Sequence, residues 1–208
     1  MRTLKFVFLT LLFAIINHFA NATETMPEIS SIENRQIVWG LGFEMNAGEM
    51  MSKANVNLSV NASIELSDRY NAGIKGTAMW YDHRLNVLDP EKTYHVEGAY
   101  GGMFIEPKFN FGSSFVLSIP IYFGCGEIQY TYDSKYDNEL TWTEEIIDKD
   151  LFGFFEPGLS LKYHVNSHVS LSASVNYRFT SEITLIQSPD DMMNQVNFGM
   201  GFQYTFNR

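Results

Sequence analysis

The segment Gln195–Phe206 alternates without a break. Val196, Phe198, Met200, Phe202, Tyr204 and Phe206 fall on one face, and Gln195, Asn197, Gly199, Gly201, Gln203 and Thr205 fall on the other. A period of two marks a β-strand with one apolar face. The segment is longer than the roughly five or six residues of an ordinary globular strand. It reaches the roughly 9–11 residues that a tilted strand needs to cross a bilayer.

The pattern recurs upstream. Val169, Leu171, Ala173, Val175, Tyr177 and Phe179 alternate with Ser170, Ser172, Ser174, Asn176, Arg178 and Thr180; Val56, Leu58, Val60, Ala62, Ile64 and Leu66 alternate with Asn55, Asn57, Ser59, Asn61, Ser63 and Glu65. The polar faces are small hydroxyls and amides rather than long solvated charges, which argues against a soluble lipocalin-like barrel with its polar face outside. Weaker segments at 36–45, 70–81, 97–109, 115–128 and 151–164 bring the total to eight, an even number, as single-chain bacterial barrels require. The expected fold is all-β, an eight-stranded antiparallel up-and-down transmembrane β-barrel.

Connection lengths fit the same plan. Tight turns are expected at 67–69, 110–114 and 165–168, and longer, more polar loops at 46–53, 82–95, 129–150 and 181–194. Short turns on one rim and long loops on the other characterise membrane barrels, the short side facing the periplasm. Pro107, Pro120 and Pro157 interrupt strands of a barrel that has no edge, so they are read as bulge sites. Pro107 and Pro157 each end a Phe-x-Glu-Pro motif, a short internal repeat.

The N-terminus has the layout of an export signal. Arg2 and Lys5 precede the apolar run 6–16, and Ala20-Asn21-Ala22 follows as a small-residue cleavage site. The expected organisation is a signal peptide over 1–22, a short periplasmic segment over 23–35 and the barrel over 36–208. Cys125 is the only cysteine, so no intrachain disulfide can form; it is read as a small apolar wall residue. The formal charge is −10, and −12 once Arg2 and Lys5 leave with the signal. A chain this acidic offers no basic face to nucleic acid.

The final strand also carries a resemblance. Gly199-Met200-Gly201-Phe202-Gln203-Tyr204-Thr205-Phe206 resembles the C-terminal assembly signal of Gram-negative outer-membrane barrels, with Gly201, Tyr204 and Phe206 at its glycine, aromatic and terminal positions. Gly199 stands at the motif's polar position, and Asn207-Arg208 extend beyond it. With the Phe-x-Glu-Pro strands and Val-Ser-Leu-Ser-Ala-Ser-Val-Asn-Tyr-Arg, the chain is similar to small barrels of the OmpA/OmpX-like and porin-like superfamily. The resemblance implies outer-membrane residence, contact with outer-membrane lipid, insertion by the barrel assembly machinery, a monomer, and no cofactor or known activity.

Alternation places Glu44, Glu65, Lys75, Glu106, Lys108, Glu156, Lys162 and Arg178 on the inward face. The interior of an eight-stranded barrel is wide enough only to be filled by side chains, and charges there must be paired. The expectation is an ion-pair plug in the lumen; the alternative is a narrow gated polar pathway. The segment 129–150 carries seven carboxylates against Lys135 and Lys149, with Tyr130, Tyr132, Tyr136 and Trp142 among them. It is either a solvated surface or an extracellular site for a cationic partner, calcium or a sugar. No Asp-x-Asp-x-Asp-Gly calcium spacing occurs in it. His164 and His168 flank an expected turn rather than sharing a helix face. Asp82, His83 and the serines of 169–180 could be combined into a hydrolase like the lipid-modifying barrel enzymes, but no nucleophile-elbow motif accompanies them. The expected role is structural or surface-interacting, with no catalytic, cofactor or metal residues.

Overall fold

Period-two segments satisfy their backbone only by pairing, and the pairing here closes on itself. The computed structural model describes residues 37–51, 53–81, 94–112, 114–133, 144–186 and 188–207. The expected signal peptide over 1–22, its neighbour over 23–35, and Asp82 and His83 lie outside the described residues. The described residues form nine strands: β1 Trp39–Met50, β2 Lys53–Ser67, β3 Tyr70–Tyr81, β4 Tyr94–Phe111, β5 Phe115–Ser118, β6 Ile121–Asp133, β7 Glu144–His164, β8 Val169–Thr180 and β9 Gln195–Phe206. All pairings are antiparallel, each strand with its chain neighbours, and β1 pairs β9 from Trp39↔Phe206 to Gly48↔Asn197. β5 and β6 lie between β4 and β7 and form one interrupted stave. The result is an eight-staved up-and-down barrel, the expected fold.

The three short turns fall on the rim where β9 ends. Asn166 Oδ1 accepts from the amides of His168 and Val169, both at 2.8 Å, which is the local hydrogen bonding that makes asparagine a turn residue. Gly112 turns the chain between β4 and β5 at φ +67°, a conformation open to glycine.

Three expectations about the strands are corrected. The segment 46–53 is not a loop: β1 and β2 pair down to Met50↔Lys53, leaving a two-residue turn in which Met51 has φ 49°. The described ends of the segment 129–150 are strand: β6 runs to Asp133 and β7 begins at Glu144, so both arms continue the wall. The prolines are not bulges. The true register shifts fall between Glu65 and Ser67 on β2 and between Tyr130 and Thr131 opposite Ile147 on β7. The β5/β6 break at Ile119-Pro120 instead keeps the register, with Ile105↔Ile121 on one side and Lys108↔Ser118 on the other. Pro120 has no N–H to give to a ladder. Ile119 N still donates to Pro107 O at 3.0 Å, and Gly158 N donates to Pro120 O at 2.8 Å, so the break stays stitched.

Outward positions make an apolar belt. Leu41, Phe43 and Met45 on β1, Val60 and Ile64 on β2, Ile74 on β3, Met103 and Ile105 on β4, Leu161 on β7, and Phe198, Met200 and Phe202 on β9 are all exposed. Trp39, Tyr70, Phe111, Phe115, Tyr163 and Tyr204 are exposed at the short-turn rim, as aromatic girdles are at membrane interfaces. Tyr177 keeps the outward parity of Leu171 and Ala173 but is buried, its ring centroid 4.5 Å from that of Phe179. On β6 and β7 the two faces exchange character beyond Cys125 and Leu151. Outward positions become Glu127, Gln129 and Lys149, while Ile128 and Tyr130 turn inward and are fully buried. That inversion marks where the wall leaves hydrocarbon and enters water.

Where β4 and β6 cross, the wall leaves no room for a side chain. A Cβ on Gly102 would lie 2.0 Å from Phe123 O, whereas one on Gly76 would meet nothing within 4 Å. Gly102→Ala is therefore expected to destabilise the barrel by about 1–3 kcal/mol, as overpacking does. Gly76→Ala should leave it nearly unchanged. Urea unfolding in detergent micelles measures both.

Candidate functional site: the lumen and its cover

The eight charged residues on the inward parity are brought together as four pairs. Lys75 Nζ lies 2.6 Å from Glu44 Oε2, Lys108 Nζ 2.6 Å from Glu65 Oε1, Lys162 Nζ 2.6 Å from Glu106 Oε2, and Arg178 Nε 2.8 Å from Glu156 Oε2. Each pair joins different staves, so the cross-links tie walls that are far apart in sequence. Spare lone pairs find donors. Ser174 Oγ donates to Glu44 at 2.9 Å, Ser118 Oγ to Glu106 at 2.7 Å and Asn71 Nδ2 to Glu106 at 3.3 Å. Arg178 is the most enclosed of the cations. Its guanidinium carbon stands 4.3 Å from the centroid of the Tyr100 ring, and Nη2 donates to the Tyr100 hydroxyl.

The pairs border two cavities, the outer one mainly polar and the deeper one of mixed lining. One, of about 210 Å³, opens at the short-turn rim among Glu65, Asn71, Lys108, Lys162, Ser170 and Gln203. The second, of about 80 Å³, lies deeper among Glu44, Lys75, Tyr122, Glu156, Ser174 and Asn176. Ser63, Lys162 and Gln203 line both, so the two cavities adjoin between the rim and mid-wall. His164 also borders the outer cavity, its Nδ1 2.9 Å from Ser170 Oγ.

Above this level the lumen changes. Met79, Tyr81, Val96, Tyr100, Tyr122, Ile128, Tyr130, Phe152 and Phe154 turn inward from β3–β7 and form one buried cluster with Met50. Across from them, β2 and β9 present amides: Asn57 Nδ2 donates to Asn197 Oδ1 at 3.4 Å, and Gln195 Nε2 donates to the same oxygen at 2.9 Å. This apolar half was not part of the expectation, which filled the lumen with ion pairs alone. Its signal lies in the sequence: aromatic and aliphatic residues hold the inward parity of β4 and β7 at Val96, Tyr100, Phe152 and Phe154.

The cluster is completed from outside the barrel. The connection between β8 and β9, expected to be a polar loop, folds over the mouth and buries Ile183, Leu185, Met192 and Met193. Its exposed side remains polar, with Glu182, Asp190 and Asp191. Asp150 Oδ2 on β7 accepts from Thr184 N at 2.6 Å and from Thr184 Oγ1 at 2.9 Å. Asp148 Oδ2 accepts from Ile186 N at 2.9 Å, and the Tyr130 hydroxyl lies 2.6 Å from Ser188 Oγ. Asp148, Asp150 and Tyr130 all belong to the segment read from sequence as a ligand-binding or solvated loop. Two of its carboxylates are instead fasteners for the neighbouring connection. Trp142 and Tyr136 lie outside the described residues.

Of the expected assembly-signal residues, Gly201 lies inward opposite Glu44, while Tyr204 and Phe206 lie outward on the closing strand. Phe206 stacks on Trp39, ring centroids 3.8 Å apart and planes 10° from parallel. Among the described residues, no group of three His, Cys, Asp or Glu is placed to hold a metal ion.

A closed antiparallel barrel with an apolar outer belt and a polar, ion-paired lumen defines the class: the transmembrane β-barrel. The fold is similar to that of a major outer membrane protein from Thermus thermophilus, with a TM-score of 0.54 at 14% identity over 81% of this chain and 99% of that one. Ail, the attachment invasion locus protein of Yersinia pestis, aligns with a TM-score of 0.48 at 13% identity over 82% and 97% of the two chains. Neisserial surface protein A aligns with a TM-score of 0.47 at 10% identity over 81% and 95%. At these identities the likeness is one of fold. No family model matches the sequence, and no curated protein matches it.

Proposed function

We propose that the chain is a bacterial outer-membrane protein, exported by a signal peptide at 1–22 and serving a structural or surface-interaction role without catalysis. The observation that carries this reading is the union of an apolar outer belt with a lumen that is blocked above its two cavities. Ion pairs cross it below, and the aromatic and methionine cluster with the folded connection fills it above. Such a body resides in lipid and presents its long-connection rim to the outside. The assembly machinery would act through Gly201, Tyr204 and Phe206 on β9, the strand that closes the ring with β1.

The expected results are recovery in the outer-membrane fraction, a heat-modifiable shift on detergent gels, and silence in planar bilayers. A soluble periplasmic protein would overturn the location. Steady single-channel openings would overturn the blocked lumen and favour the second reading, a narrow pore, which the adjoining cavities from the rim to Glu44 and Lys75 support. Altered acyl chains in the lipids of a deletion strain would favour a lipid-modifying enzyme.

A further inference from the structure

The connection over the mouth differs from the rest of the lumen in how it is held. Its two ends are tied together, since Thr180 N donates to Asn194 Oδ1 at 2.6 Å. It is also folded on itself, with Ile183 N donating to Asp190 O at 3.1 Å. Residues 181–186 and 188–194 therefore belong to a compact loop whose ends are close and which packs on its own side chains. Beneath it Ile183, Leu185, Met192 and Met193 share one apolar cluster with Met50, Met79, Tyr81 and Val96, and Ser188 meets the Tyr130 hydroxyl. Methionine side chains pack without a unique geometry and re-pack readily. Beyond the two bonds between Ser181 and Gly153, its alignment along β7 rests on Asp148 and Asp150, which take the place that ladder carbonyls would have in a ninth stave.

We propose that residues 181–186 and 188–194 are a proton-sensitive cover, held shut by Asp148 and Asp150 and loosened as the Asp150 carboxylate takes up a proton. A charged carboxylate accepts an amide hydrogen bond roughly twice as strongly as a neutral acceptor does. The bonds from Thr184 hold Asp150, above the apolar belt, below the ordinary aspartate range. The sign follows. A carboxylate whose pKa is depressed when the cover is shut adds closure above its free pKa, and that contribution is lost as the pH falls through the depressed value.

Other titratable groups face the cover. Tyr130 on β6 and Tyr81 on β3 are phenols and stay neutral across this range. Lys149 on β7 lies 3.7 Å from Glu127, both exposed on the outer wall. Glu182, Asp190 and Asp191 on the cover are exposed, so their repulsion of Asp148 and Asp150 is screened. Direct bonds of 2.6–2.9 Å therefore dominate the proton dependence.

Amide hydrogen exchange on the full barrel in nanodiscs tests this, with rates corrected for intrinsic exchange. Protection at Thr184 should fall about tenfold between pH 7 and about pH 2, below the depressed Asp150 value, while amides of β8 and β9 hold theirs. The double variant D148A/D150A should show the low value at pH 7 and little further dependence on pH. D148N/D150N keeps acceptors without charge and should lie between, also independent of pH. A heat-modifiable gel shift verifies that each variant is folded. Equal protection in D148A/D150A and wild type, or a pH dependence that survives in it, would overturn the proposal. The proposed function fails on different readouts, fractionation and conductance, so the two can be refuted separately.

Discussion

Replacing Arg178 by leucine is expected to destabilise the barrel by about 3–5 kcal/mol, the usual cost of leaving one member of a buried ion pair alone. Arg178 is 1% exposed and Glu156 5%. Without the guanidinium, Glu156 loses its cation and Tyr100 loses the group packed on its ring. The loss is one of partnership rather than of charge as such. R178L/E156L should therefore recover most of the deficit, because apolar residues of similar volume commonly replace a buried pair at little net cost. Urea titration of folded barrels in lipid vesicles, read by tryptophan fluorescence and gel shift, gives all three values. A double variant as unstable as R178L would mean that the pair's contribution is packing against Tyr100.

A charge on the other face should be costly for a different reason. Met200 is 72% exposed and sits near the middle of β9, with Phe198 and Phe202 as outward neighbours. Met200→Arg is expected to destabilise the inserted barrel by about 2–4 kcal/mol, the cost of arginine at the bilayer midplane of a barrel wall. In a soluble barrel the same substitution on so exposed a side chain would change stability by less than about 0.5 kcal/mol. Urea titration in vesicles, together with the yield in the outer-membrane fraction, distinguishes the two. An unchanged midpoint would remove the membrane reading of the belt.

Much of this architecture is legible because one physical cause acts on every residue of a wall strand. Between lipid and a narrow lumen, side-chain period two becomes apolar–polar alternation, and Gln195–Phe206 displays it in full. The misreadings occur where a second cause intervenes. Asn46, Gly48 and Glu49 have the chemistry of a turn, yet pairing with β2 and β9 keeps them in β1. Gln129–Asp133 reads as polar loop because the strand has passed into water, where its faces exchange roles. The alternation persists there, inverted, with Ile128 and Tyr130 inside.

The ion pairs were legible as inward charges but not as particular couples. Which lysine meets which glutamate depends on the stagger between staves, and no local spacing encodes that. The cover was invisible for a similar reason. Ile183, Leu185, Met192 and Met193 are too few and too scattered to announce a core, and they become one only above apolar residues supplied by five strands.

The stacked rings of Trp39 and Phe206 sit on the seam where the first and last staves meet. Every other seam joins chain neighbours and can zip as a hairpin, but this one needs both extremities of the wall in hand. Until it forms, β1 and β9 each carry a row of unspent amides and carbonyls, the kind of border that recruits foreign strands. Closure across so long a stretch of sequence is slow. The half-made sheet is therefore the vulnerable species in this protein's life, and a flat aromatic clasp at the rim holds the late-joining borders together once they have met.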